Sequence, residues 1–229
     1  QIFCVEIVYS IAINETPLQD NGRIMSIDLG LDNLATIVTN TGLNPIIVNG
    51  KGLKSTNQYY NKEKAHYQSI AKQVNGKNYT NRLHRLTRKR NFKIEDALHK
   101  ISRFIVDTAV VNNINTIVIG NNQGWKQSIS LSRKTNQSFV TIPHQKLIEN
   151  ICYKAKLHGI RVIITEESYT SGTSFLDGES PTKDAYDKKR RIHRGLFRSN
   201  QGALINADVN AGYQIMKKVF PNVFADGIE

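Results

Sequence analysis

Cysteine, long apolar runs and acidic residues are all scarce in this chain, and each shortage narrows what it can be. Cys4 and Cys152 are the only cysteines, too few for a disulfide framework, so a reducing, cytoplasmic setting is the expectation. Both read as small core hydrophobes. No apolar stretch approaches the ~20 residues that span a bilayer, which argues against a membrane protein. The opening Gln1-Ile2-Phe3-Cys4 has neither the basic start nor the small-residue cleavage site of a signal peptide. It also lacks an initiating Met, as in a mature product, a fragment or part of something longer.

Nineteen acids face thirty-one Lys and Arg, a net charge of +12, and the excess is clustered. Between Arg82 and Arg103 eight basic residues stand against Glu95 and Asp96; between Lys183 and Arg198 seven stand against Asp184 and Asp187. Such stripes release counterions from a phosphate backbone and give sequence-independent affinity for nucleic acid. Arg82, Arg85, Arg88, Lys89, Arg90, Lys126, Lys189, Arg190, Arg191 and Arg194 are the candidate contacts. Solvated helix faces are the plainer reading of the same residues. Neither stripe carries the broad apolar face of a membrane-surface helix.

What is present is ample for a packed core: 229 residues, 39% of them hydrophobic. Residues 2–11 read as a strand, and Asn14 to Gly22 as a loop. Three strands follow at about 23–29, 34–40 and 45–49. Asp32-Asn33 and Asn40-Thr41-Gly42 supply the turns of an antiparallel meander. A long basic helical region is predicted from about Asn61 to Val111, with Ile94, Leu98, Ile101, Ile105 and Thr108 on its buried face. Residues 115–119 form a continuously apolar strand, buried on both sides. A helix follows from Pro143 to about His158, then a strand from Arg161 to Thr165 and a last helix over about 207–218. Residues 172–204 are polar, lack periodicity and read as an insertion or mobile loop. Three antiparallel strands, a helix, then strand–helix–strand–helix is a mixed α/β order that fits an RNase H-like layout.

In that layout the end of the first strand, the end of the fourth and the last helix converge. Asp28 ends the run Arg23-Ile24-Met25-Ser26-Ile27-Asp28-Leu29-Gly30, and Asp208 lies in Asn206-Ala207-Asp208-Val209-Asn210-Ala211. Carboxylates at these two points suit a shared Mg²⁺ (or Mn²⁺) site, because hard cations take oxygen ligands and keep room for a phosphate. Paired metals would hold the attacking and leaving oxygens of a phosphodiester.

These segments resemble those of the transposon-encoded OrfB/TnpB proteins, relatives of the type V CRISPR effectors. Arg23 to Gly30 with Asn33-Leu34-Ala35-Thr36 looks like their first RuvC motif, and Asn206 to Ala211 like their third. Ser168-Tyr169-Thr170-Ser171 looks like the segment before their zinc finger. The resemblance implies an RNA-guided DNA endonuclease, with guide RNA and DNA as partners, no membrane, and a homodimer allowed. It also implies a RuvC-like domain over 23–229, interrupted by a degenerate zinc-finger region at 172–204. Residues 1–22 would be the end of an N-terminal wedge-type β domain.

Two departures stand out. The family's second motif puts a Glu directly after the fourth strand, where this chain has Gly120-Asn121-Asn122. Either the protein is nuclease-dead and only binds, or the ligand has moved to Glu166 or Glu167 at the end of the neighbouring strand, ~4.8 Å away. Because side chains alternate along a strand, one of the two acids faces the metals; Glu166 is the expectation, Glu167 the alternative. The zinc finger's first Cys pair is replaced by Ser174 and Asp177, and no cysteine follows Cys152, so no zinc is expected. Trp125, next to Lys126, reads as a base-stacking ring or as a core anchor, and Tyr59-Tyr60 carries the same two readings. His84, His99 and His144 lack metal-ligand spacing, and Asp96, Asp107 and Asp177 read as structural. An actin- or Hsp70-like ATPase, whose first phosphate loop resembles Ile27-Asp28-Leu29-Gly30, is disfavoured: the chain has no second Asp-x-Gly loop and no Gly-Gly adenosine motif.

Overall fold

Alternation along the first strand sets the layers of the molecule. In the computed structural model, which describes residues 5–8, 10, 18–121 and 142–225, β1 (Ile24–Leu29) turns Met25, Ile27 and Leu29 to one face of a sheet. Ile24 and Ser26 go to the other. The sheet also contains β2 (Asn33–Thr39), β3 (Ile46–Asn49), β4 (Thr116–Gly120) and β5 (Arg161–Thr165), in the order β3-β2-β1-β4-β5. β1, β2 and β3 pair antiparallel, and β4 and β5 add in parallel beside β1. This is the RNase H-like arrangement expected from the element order.

The first face packs on α2 (Asn81–Val111) and α3 (His144–Leu157), where Leu98, Ile105, Leu147 and Ile151 join the strand residues in the larger core. The opposite face is covered by α4 (Ala207–Val219), through Val209, Tyr213, Ile215 and Met216 against Ile24, Val38 and Val118. Among the described residues no helix is long and apolar enough to cross a membrane.

Two expectations change. The predicted long helix is a hairpin of α1 (Lys51–Asn75) and α2. Gly76, at φ 66°, terminates α1, and the Thr80 hydroxyl caps α2 by accepting from Leu83 N at 3.2 Å. Arg90 Nε donates to Asn57 Oδ1 at 2.7 Å across the hairpin, and the Tyr60 hydroxyl meets that of Thr87 at 3.0 Å. The segment read as an aperiodic insertion carries β6 (Arg191–His193) and β7 (Leu196–Arg198), which pair antiparallel, and β7 pairs in turn with β8 (Leu204–Asn206) at its end. Its strands are three residues long, too short to show a period. Of the predicted strand at 2–11, residues 5–8 and 10 are described and carry no regular structure; the rest, with Cys4, lies outside the described residues. So do Trp125 and Lys126.

Candidate active site

A short bond brings the two aspartates level. Ser26 donates to the carbonyl of Gly212 at 2.5 Å, and Gly212 lets α4 settle on the sheet, since a β-carbon there would meet Val38 Cγ2 at 3.2 Å. Asp28 shares the face of Ser26, two residues on, and Asp208 stands one turn before Gly212 on the facing helix. Asn206 caps that helix by accepting from Asp208 N at 2.9 Å and Val209 N at 3.2 Å, which fixes Asp208 in the first turn.

Register sends the two glutamates in different directions. β4 pairs with β5 so that Gly120 lies opposite Thr165, and Gly120, one residue past Ile119 of the larger core, faces α4. Residue 167 shares that face with residue 165; residue 166 does not. Accordingly the Glu166 side chain is 67% exposed, 3.8 Å from Lys218 Nζ. The Glu167 side chain instead turns back over Gly120. A β-carbon added at Gly120 would fall 2.6 Å from Glu167 Oε1 and 2.7 Å from its Cγ. The acid beside Asp28 is therefore Glu167, the sequence's second choice of the two, and Glu166 lies at the surface beside Lys218.

The electrostatics report the same convergence. Burial, then the nearby charges of Glu167 and Asp208, hold the Asp28 carboxyl well above the usual range, with Arg191 opposing. Burial pushes Glu167 up to about 7, against the pull of Lys218. Asp208 is clamped on both oxygens: Asn33 Nδ2 donates to Oδ2 at 2.7 Å, and Arg191 Nη2 lies 3.3 Å from Oδ1. On the same rim Asp32 takes Lys54 at 2.7 Å and Arg194 at 3.0 Å. His144, the first residue of α3, is buried, with Nε2 2.8 Å from the Gly30 carbonyl, so it steadies the turn after Asp28. Sequence spacing gave no signal for His144, and Arg191 was legible only as one more basic residue.

A clasp holds the insertion against α4. Glu179 Oε2 accepts from Arg190 Nη1 at 2.5 Å and from Ser174 N at 2.8 Å, and its Oε1 accepts from Asn200 Nδ2 at 3.1 Å. Asp177 Oδ2 accepts from Asn200 N at 2.7 Å. Asn210, fully buried on α4, donates to Thr173 O and accepts from Phe175 N. Arg190 is thus committed to Glu179. Asp177 is structural, as are Asp96 and Asp107, which pair with Lys100 and Arg103.

The donor set fits a hard divalent cation. All three acids offer carboxylate oxygen, the mutual repulsion at Asp28 is what a cation relieves, and Thr36, opposite Asp28 on β2, has a buried hydroxyl without a partner among the described residues. In this arrangement no three His, Cys, Asp or Glu side chains among the described residues enclose an ion; Arg191 and Asn33 hold Asp208 instead.

Of the predicted nucleic-acid contacts, Arg82, Arg85 and Lys89 are exposed on α2 and Arg88 half-buried. Arg82 lies over the Tyr67 ring at 4.5 Å and Arg90 over Tyr60 at 5.6 Å. Tyr59 is 62% exposed, so it is no core anchor.

A model of the OrfB_IS605 family, described as probable transposase, matches residues 3–126, more than half of the chain. The chain belongs to this family. A model of the Cas12f1-like TNB domain matches residues 144–215 of this OrfB_IS605 member. Among solved structures, a Cas12f1–sgRNA–target DNA complex matches with a TM-score of 0.62 at 19% identity, covering 87% of this chain and 51% of that one. A CRISPR–Cas12f ternary complex gives 0.67 at 18% identity, covering 90% and 41%. An AacC2c1–sgRNA–extended non-target DNA complex gives 0.58 at 12%, covering 79% and 23%. At these identities the likeness is one of fold. This OrfB_IS605 chain spans about half or less of those chains' length. A search of curated proteins returned no match.

Proposed function

We propose that this chain is the catalytic part of an RNA-guided DNA endonuclease of a transposable element, with Asp28, Glu167 and Asp208 as its acid set. Guide RNA and DNA are its partners, residues 23–229 form the RuvC-like domain, and 1–22 close a wedge-type domain before it. The observation that carries this reading is the Glu167 side chain lying over Gly120 beside Asp28. The residue that breaks the family pattern is the one whose missing side chain admits the relocated acid. A dead site has no need of a second half-buried carboxylate beside Asp28.

The three acids would hold Mg²⁺ or Mn²⁺, which supplies positive charge to a phosphodiester under attack by water. The remaining chemistry belongs to the chain. The Ser26–Gly212 bond keeps Asp28 and Asp208 facing, Asn33 orients Asp208, and Arg191 neutralises it. Arg82, Arg85, Arg88 and Lys89 hold a phosphate backbone, joined at the rim by Lys189 and Arg194. Arg190 is not among them because Glu179 occupies it. The clasp takes over the tethering that a zinc ion would give, so no zinc is needed.

The test is a comparison of Glu167→Gln with Glu166→Gln in the protein loaded with its guide. Glu167→Gln should lower the cleavage rate by more than the roughly 10–100-fold typical of losing an outer-shell partner, with Glu166→Gln near wild type. Equal activity of the two variants would overturn the assignment. A wild-type protein that binds target but never cleaves would establish the nuclease-dead alternative.

A further inference from the structure

Two residues beyond Glu167 the backbone passes through Tyr169 at φ 67°. Among the described residues the only other non-glycine at positive φ is Asn113. Asparagine tolerates that region, whereas a bulky aromatic there is an outlier. The ring does not repay the strain by filling the core, since Tyr169 is 40% exposed. It meets Tyr186, itself 38% exposed, edge to face at 5.9 Å and 73°. Gly172 makes room for that partner: a β-carbon there would sit 2.4 Å from Tyr186 Cε2. Thr170 donates both its amide and its hydroxyl to the Glu167 carbonyl, at 3.2 and 2.8 Å, and the Thr173 hydroxyl donates to Tyr169 O at 2.9 Å. Asp187 N donates to Gly172 O at 3.0 Å. The turn that carries Glu167 into the site therefore also holds an aromatic pair at the surface.

We propose that Tyr169 and Tyr186 form a stacking platform for one base of the single DNA strand whose phosphodiester enters the Asp28–Glu167–Asp208 site. This rests on the nuclease reading and adds a binding subsite to it. A base offers the flat π-face that exposed aromatics take without regard to sequence. Its flanking phosphates match the cations around the pair: Lys183, Lys188 and Lys189 are exposed on the same segment as Tyr186. Lys218 reaches the turn itself, with Nζ 2.8 Å from Ser168 Oγ. Asp184, Asp187 and Glu166, the last 3.8 Å from Lys218, offset part of this charge, and the lysines still outnumber them. Strain held at an exposed ring beside a reactive group is where a functional constraint is expected.

A single-stranded DNA oligonucleotide carrying 2-aminopurine, mixed with the protein in chelator so that nothing is cleaved, reads stacking directly as fluorescence quenching. Wild type and Tyr169→Phe should quench. Tyr169→Leu and Tyr186→Leu should lose the quench and bind about tenfold more weakly. Tyr169→Gly should lose it too while melting no lower than wild type, because glycine adopts φ 67° without strain. An unchanged quench in both Leu variants, or a Tyr169→Gly protein that melts far below wild type, would overturn the platform. Cleavage of an unlabelled target in Mg²⁺ separates this from the parent reading. A Tyr169-dependent quench in a protein that never cleaves supports the platform and overturns the nuclease, and a cleaving protein whose quench ignores both tyrosines does the reverse.

Discussion

Glu167 occupies the space that a side chain at Gly120 would need, and Ile215 Cδ1 closes the same space at 2.7 Å from the ideal β-carbon position. Gly120 and Glu167 therefore compete for a single volume, although they lie 47 positions apart in the chain.

A swap tests that relationship. Gly120→Glu alone should overpack the site, at about 1–3 kcal/mol, and reduce cleavage. Gly120→Glu combined with Glu167→Gly removes the Glu167 part of the obstruction and leaves only the tip of Ile215 to shift, and its backbone is not hindered, since Gly120 is not among the glycines at positive φ. The double variant should recover part of the stability and part of the cleavage rate, measured by thermal melting and by target cleavage. A double variant worse than either single change would refute the shared volume.

Stability of the metal-free protein should depend on pH through Glu167. Its carboxyl rises from an ordinary 4.5 to about 7 on folding, so between those values the folded state binds more protons than the unfolded one. Stability then falls as pH rises across this window and levels off above it. Melting temperatures in chelator should drop between pH 5 and pH 8. The drop should be smaller in Glu167→Gln, and added Mg²⁺ should raise the melting temperature more at pH 8 than at pH 5.

The Glu179–Arg190 clasp should behave as a structural element that no metal supports. Glu179→Gln leaves the Arg190 guanidinium without its charge partner and should cost about 1–3 kcal/mol, read by chemical denaturation. Elemental analysis should find no stoichiometric zinc, and chelation should leave the melting temperature unchanged in the absence of other metals.

Affinity and chemistry should separate. Replacing Arg82, Arg85 and Lys89 together by Gln should weaken DNA or RNA binding and lower the slope of log affinity against log salt, by roughly one for each phosphate no longer neutralised. Asp28→Ala should abolish cleavage and leave that slope intact. A changed slope in Asp28→Ala would mean that the acid site also sets affinity.

The sequence by itself determined the main strands of the sheet and the last two helices, and it singled out Asp28 and Asp208. Apolar runs of strand length fixed β1, β2, β4 and β5, and the motifs around Asp28 and Asp208 marked the ends of elements that this layout brings together. The break within the helical hairpin was missed: the basic periodicity runs on past Gly76 and Thr80, whose stop and start roles show only in the folded hairpin. The choice between Glu166 and Glu167 was not legible either. Alternation says that one of two adjacent residues faces the site, but which one depends on the pairing of Gly120 with Thr165, and pairing is a property of two strands together. The same holds for Arg190, Arg191 and Arg194, alike in sequence and separated only by tertiary contacts with Glu179, Asp208 and Asp32. Local pattern records which face of an element is apolar; which charge meets which across the fold is decided when the faces come together.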